Sequence, residues 1–134
     1  MNFTQLIEGM DNFLELLRIS LDNTHPDFNN ARKALTALVM DNPEEFLQMT
    51  ATLLESGCED KGILDLAVVS STSVFPRKLR RRMHLRVSID SIIAVRHALV
   101  NLIHHPSYDV AYKAATTLGH FAIVELLTEL SCSV

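Results

Sequence analysis

The stretch His25-Pro26-Asp27-Phe28-Asn29-Asn30-Ala31-Arg32-Lys33-Ala34-Leu35-Thr36-Ala37-Leu38 decides how this chain is read, because it occurs twice. The second copy is His105-Pro106-Ser107-Tyr108-Asp109-Val110-Ala111-Tyr112-Lys113-Ala114-Ala115-Thr116-Thr117-Leu118. Seven of the 14 positions are identical, and Phe28 against Tyr108 is a conservative eighth. The copies start 80 residues apart. Repeats made of paired helices have periods of about 40–47 residues, so this spacing is two periods with a degenerate unit between them. In each copy apolar and small residues recur every three or four positions: Phe28, Ala31, Leu35 and Leu38, then Tyr108, Ala111, Ala115, Leu118 and Ala122. That is the period of one helix face, and these residues are the expected core positions.

Upstream, Leu6, Met10, Phe13, Leu14, Leu17 and Leu21 form one stripe, which predicts a first helix over Phe3 to Leu21. Pro26 suits the first turn of the second helix, and Asp41-Asn42-Pro43 stops it. Asn42 is a candidate cap for a third helix over Pro43 to Ser56, Glu44 and Glu45 suit its positive end, and Gly57 is a candidate C-terminal cap. Glu59 to Val74 contains Ile63-Leu64-Asp65-Leu66-Ala67-Val68-Val69, which suits a strand on propensity alone. The helical surroundings and the repeat period favour helix, with the run Ser70 to Ser73 as an early end. Ser88 caps a further helix whose expected buried face is Ile89, Ile92, Ile93, Val95, Leu99, Val100 and Ile103. The last helix starts near Ser107 and runs to about Leu130, with Gly119 as a weak point.

The expected architecture is therefore all-α: a right-handed α-α superhelix of the HEAT or armadillo kind, one domain over residues 1–134. It holds about three helical hairpins, over residues 3–41, 43–74 and 88–130, with a basic loop over 75–87. Each hairpin buries its apolar face only by stacking on a neighbour. The apolar end of the last helix (Leu126, Leu127, Leu130, Val134) then implies either a longer solenoid or self-association through that uncapped helix.

Composition fits this reading. Apolar residues make up 48% of the chain, and Gly and Pro number only four each, which favours helices over turn-rich β structure. No apolar run reaches the roughly 18 residues of a spanning helix, and the N-terminus lacks the pattern of a signal peptide. Two cysteines, Cys58 and Cys132, are too few for a disulfide framework and fit a reducing compartment. The net charge of −4 is uneven: residues 1–76 carry 4 basic and 12 acidic groups, residues 77–134 carry 8 basic and 4 acidic. Arg77, Lys78, Arg80, Arg81, Arg82 and Arg86 form a basic patch in one run. That patch suits phosphate backbones, an acidic partner or a nuclear-import receptor, or else a charged loop that offsets the acidic first half. The negative net charge argues against nucleic acid as the main partner.

Catalytic patterns are missing from the sequence. There is no Gly-rich phosphate loop, no Cys-x-x-Cys and no Gly-x-Ser-x-Gly. The six histidines are scattered, no His-Glu dipeptide occurs, and His97 and His104 are seven apart, not the four that places two ligands on one helix face. His25 and His105, at equivalent turns before proline, read as structural. The chain reads as a non-enzyme without a cofactor or metal.

The pattern resembles the N-terminal HEAT repeats of the importin-beta (karyopherin-beta) family of nuclear transport receptors. The matching features are Phe13-Leu14-Glu15-Leu16-Leu17, the polar turn Asp22 to Asp27, Ala31-Arg32-Lys33-Ala34-Leu35 and the step Asn42-Pro43-Glu44-Glu45-Phe46-Leu47. Leu66-Ala67-Val68-Val69, then Phe75 with Arg77 and Lys78, match a looser inner-helix pattern, and His105 to Leu118 matches a closing helix. The resemblance implies a fragment or a shortened relative, because that family's chains hold many more repeats. It implies a protein-interaction solenoid of the cytoplasm and nucleus that binds a Ran-type GTPase, transport cargo or both. It places the partner face on the second helices of the hairpins: Arg32, Lys33, Thr36, Tyr112, Lys113 and Thr116 foremost, with Asn30, Asp65 and Ser71. The alternatives are a generic HEAT-repeat scaffold or a nucleic-acid-binding domain of HEAT type that uses residues 77–86.

Overall fold

A computed structural model describes residues 9–74 and 87–132, with side chains as far as Ile123. Every regular element among them is a helix: α1 (Met10–Ser20), α2 (Phe28–Asp41), α3 (Pro43–Glu55), α4 (Lys61–Thr72), α5 (Ile89–Leu102) and α6 (Tyr108–Cys132). None of these helices is long and apolar enough to cross a membrane. The basic patch Arg77, Lys78, Arg80, Arg81, Arg82 and Arg86 lies outside the described residues.

The chain-breaking residues set most of the boundaries. Pro43 opens α3 at its first turn, followed by Glu44 and Glu45. Gly57 follows the end of α3 with φ 81°, a left-handed conformation that costs other residues a steric penalty. Asp60 and Ser88 cap α4 and α5 by accepting from Ile63 N at 3.2 Å and Ser91 N at 3.3 Å. Ile63 to Val69 lies inside helix α4, where tertiary packing overrides the strand propensity of its β-branched residues.

Three expectations for α1 and α6 need correction. Helix α1 begins at Met10, behind Gly9 at φ 91°, so one helix does not run from Phe3 to Leu21. Gly119 does not interrupt α6, which continues through it for 25 residues in all. The buried face of α6 is Val110, Ala114, Thr117 and Phe121, whereas Tyr108, Ala115 and Ala122 are exposed. The face that repeats α2 is turned largely toward solvent, with Leu118 still packed against the core.

Consecutive helices pair as α1 with α2, α3 with α4, and α5 with α6, and the pairs stack: α3 lies along α5 and α4 along α6. One continuous core runs through the stack, from Phe13, Leu16 and Leu17 through Phe46, Leu47 and Leu64 to Val95, Leu99 and Phe121. Phe13 and Phe46 meet edge to face, 5.9 Å between centroids at 78°, and join the first pair to the second. Each such fully buried side chain contributes about 1.5–3 kcal/mol of burial free energy. Val74 and Val87, flanking the basic segment, are both buried in this core.

A polar clamp reinforces the α3–α5 contact. Glu44 Oε2 accepts from the Ser88 backbone N–H, and Oε1 accepts from the Ser88 and Ser91 hydroxyls, all at 2.6 Å. Gln48 Nε2 donates to Oε1 at 3.2 Å. Burial raises the Glu44 pKa, but these hydrogen bonds together outweigh it and hold the carboxyl below its ordinary value.

Candidate protein-interaction face

The second helices of the three pairs carry the candidate residues, and the fold treats each set differently. On α2, the Arg32 Nε donates to Ser20 O at the end of α1, at 2.8 Å, and its guanidinium stacks over the Phe28 ring, 5.4 Å from the centroid. Phe28 and Arg32 are four apart, so they are neighbours on the helix surface. The Thr36 hydroxyl turns back to Arg32 O at 3.0 Å. Asn30 and Lys33 are exposed.

On α6, Tyr108 and Tyr112 stack with centroids 6.0 Å apart and an interplanar angle of 23°. They are 77% and 60% exposed, which is unusual for large aromatics. The Thr116 hydroxyl bonds Tyr112 O at 2.9 Å. Lys113 Nζ donates to Asp65 Oδ2 on α4 at 2.9 Å and so ties α6 to α4. Asp65 Oδ1 is buried and makes no hydrogen bond.

Ser71 does not belong to this face. It is fully buried on α4, and its hydroxyl donates to Val68 O at 2.6 Å. Its neighbours in the Ser70–Ser73 run are the ones that matter. Ser70 and Ser73 line a groove of about 160 Å³ between α4 and α2, opposite Arg32 and Thr36, over Leu35, Val39 and Leu66. Nothing in the sequence marks this groove, because it depends on how far apart α2 and α4 pack. The Phe28–Arg32 stack joins residues four apart, but the apolar period marks Phe28 as core, whereas it is only partly buried.

The structure thus brings Lys113 to Asp65 and aligns Tyr112 with Tyr108. It keeps Arg32, Lys33 and Thr36 apart on α2, across the groove from α4. The arrangement has the traits of a contact surface: exposed aromatics, a restrained arginine and apolar hollows. Among the described residues, no three His, Cys, Asp or Glu side chains gather as a metal would need. His97 lies 3.9 Å from Glu55, and both are largely exposed. Comparison of the chain with protein-family models, with curated proteins and with solved structures returns no match.

Proposed function

We propose that this chain is a non-enzymatic protein-interaction module: a HEAT-like solenoid segment that meets its partner with the exposed side of α2, α4 and α6. The observation that carries the reading is the stacked Tyr108–Tyr112 pair, exposed and next to Lys113 on a helix otherwise anchored by Val110, Ala114 and Phe121. Stacked, solvent-facing tyrosines offer large contact area at low entropic cost, and such residues dominate binding energy in protein interfaces. The stacking of α3 on α5 and of α4 on α6 supports the solenoid, since repeat hairpins contact their neighbours in this way. The resemblance to importin-beta supplies the specific partner, a Ran-type GTPase in its GTP-bound state.

A pull-down with GTP-loaded and GDP-loaded Ran tests the partner. The expected result is retention with GTP only, and its reduction by Y108A and Y112A. Equal retention, or none, rejects the GTPase.

Self-association is a second reading, favoured by an exposed apolar strip. Ile93 and Val100 of α5 form a groove with Leu118 and Ala122 of α6, on the side of the third pair that no described helix covers. Light scattering after gel filtration separates a dimer from a monomer, and an I93E variant should restore the monomer if the strip is the interface.

A further inference from the structure

The groove between α2 and α4 presents a guanidinium whose orientation is already fixed and whose outer donors are unused. Stacking on Phe28 and the Nε bond to Ser20 O both hold the Arg32 guanidinium. Fixing a free arginine costs rotamer entropy, so much of that cost has been met before any ligand arrives. Its terminal nitrogens make no hydrogen bond among the described residues, and the side chain is exposed. Two N–H groups in a planar fork match a carboxylate.

The surroundings define the ligand further. Leu35, Val39, Met40 and Leu66 give an apolar bed. On the opposite wall, the Ser70 and Ser73 hydroxyls make no hydrogen bond among the described residues, although Ser71 and Thr72 bond back to their own helix. A shallow hollow beside Lys33 continues the groove past Arg32, Thr36 and Met40. The only acid within α4 is Asp65, and Lys113 neutralises it, so no free negative charge on that wall opposes an anion. At about 160 Å³ the groove is smaller than the roughly 300–1,000 Å³ of small-molecule sites, but it fits single side chains. A phosphate would call for several converging cations or backbone N–H groups, whereas this site has one fixed arginine and a lysine beside it.

We infer that the groove binds an extended peptide in which an acidic side chain stands beside apolar ones. The carboxylate takes the terminal N–H groups of Arg32. The apolar neighbours lie on Leu35, Val39, Met40 and Leu66, and Ser70 and Ser73 bond the peptide backbone. The inference builds on the reading of this face as a binding surface but not on the GTPase. A failed Ran pull-down leaves it standing, and failed peptide binding leaves the Ran assay untouched.

The test is fluorescence anisotropy of the full chain, at low salt, with three labelled 12-residue peptides of alternating Glu-Leu, Gln-Leu and Lys-Leu. The Glu-Leu peptide should bind at least about tenfold more tightly than the other two. R32Q should remove that preference. F28L, which keeps the charge but frees the guanidinium, should weaken binding by about threefold. M40E, which puts a carboxylate in the hollow, should weaken it by about tenfold. Equal binding of the three peptides, no binding of any, or R32Q and M40E that both bind like wild type would each overturn the inference.

Discussion

In the first copy of the repeated stretch, His25 Nδ1 accepts from the Asp27 N–H at 3.0 Å; in the second, His105 Nδ1 accepts from the Ser107 N–H at 2.9 Å. Asp27 O and Ser107 O then accept from Ala31 N and Ala111 N, the first turns of α2 and α6. Up to this point the copies are the same object. Beyond it they differ. Helix α2 buries Ala31, Leu35, Leu38 and Val39; α6 buries Val110, Ala114, Thr117 and Phe121. At the repeat offset these are the positions of Asn30, Ala34, Ala37 and Asp41. The buried face has moved by one residue, a turn of about 100° around the helix. The seven identical residues specify the entry turn and permit a helix, but residues that differ choose the face. Val110 and Phe121 stand where the first copy has Asn30 and Asp41, and those substitutions reward the rotation.

The largest test of that comparison is core truncation, read as unfolding free energy in urea. Phe121→Ala should cost about 3–5 kcal/mol and Leu38→Ala about 2–5 kcal/mol. Leu118→Ala, the repeat counterpart of Leu38, should cost only about 1 kcal/mol, because Leu118 is half-buried. Equal costs for Leu38 and Leu118 would mean that the two copies share a face after all.

The two copies also meet the middle pair differently. Helix α2 faces α4 across the groove, whereas α6 lies along α4 and its partner α5 is clamped to α3 by Glu44. Glu44→Gln should cost about 1–3 kcal/mol at pH 7, since it trades a charge-assisted acceptor for an amide among three serine donors. The pH dependence has a definite sign. The folded state lowers the Glu44 pKa below its ordinary 4.5, so the stabilisation is full above that value and fades as pH falls through the lower, folded pKa. Wild type should therefore lose more of its urea midpoint than Glu44→Gln between pH 6 and pH 3.

Next come the two histidines. Each supplies one cap-like acceptor at an otherwise unmet backbone N–H, so His25→Ala and His105→Ala should each cost about 1 kcal/mol, additively. If only one of them matters, the shared turn is not the common element.

How far the sequence carried these points depends on the range of the interactions. Helix ends were legible at Pro43, Gly57 and Ser88 because caps act within a few residues. The face of α5 was not. Eleven of the 15 positions from Ile89 to Ile103 are apolar or small, and the fold buries Ile92, Val95, Ala98, Leu99 and Leu102 while exposing Ile89, Ile93, Val100 and Ile103. Periodicity cannot choose among apolar residues all round a helix; the neighbouring helices do. The Glu44 clamp spans 44 residues, and Glu44 in isolation reads only as a charge suited to a helix start. Of the candidate face, Phe28 and Tyr108 read as core by their period, and the groove between α2 and α4 leaves no mark in the sequence.

Lys33 and Lys113 give the smallest and cleanest contrast, because the residue and its repeat position are both the same. Lys113 reaches Asp65 across α4 and α6, with the two side chains 41% and 25% exposed. Exposed pairs are worth about 0–1 kcal/mol, and this one also covers a carboxylate whose other oxygen is buried without a hydrogen bond. Lys113→Met should therefore cost about 1 kcal/mol, and Lys33→Met, on an exposed surface, less than about 0.5 kcal/mol. A double-mutant cycle with Asp65→Asn isolates the pair, with an expected coupling of about 0.5–1 kcal/mol. Zero coupling would mean that apolar packing alone joins α4 to α6, and that nothing but bulk keeps the last helix in its rotated setting. A measurable coupling would make Lys113 part of that setting: the shared lysine on α2 makes no ion pair among the described residues, and on α6 it finds a carboxylate because the helix has turned.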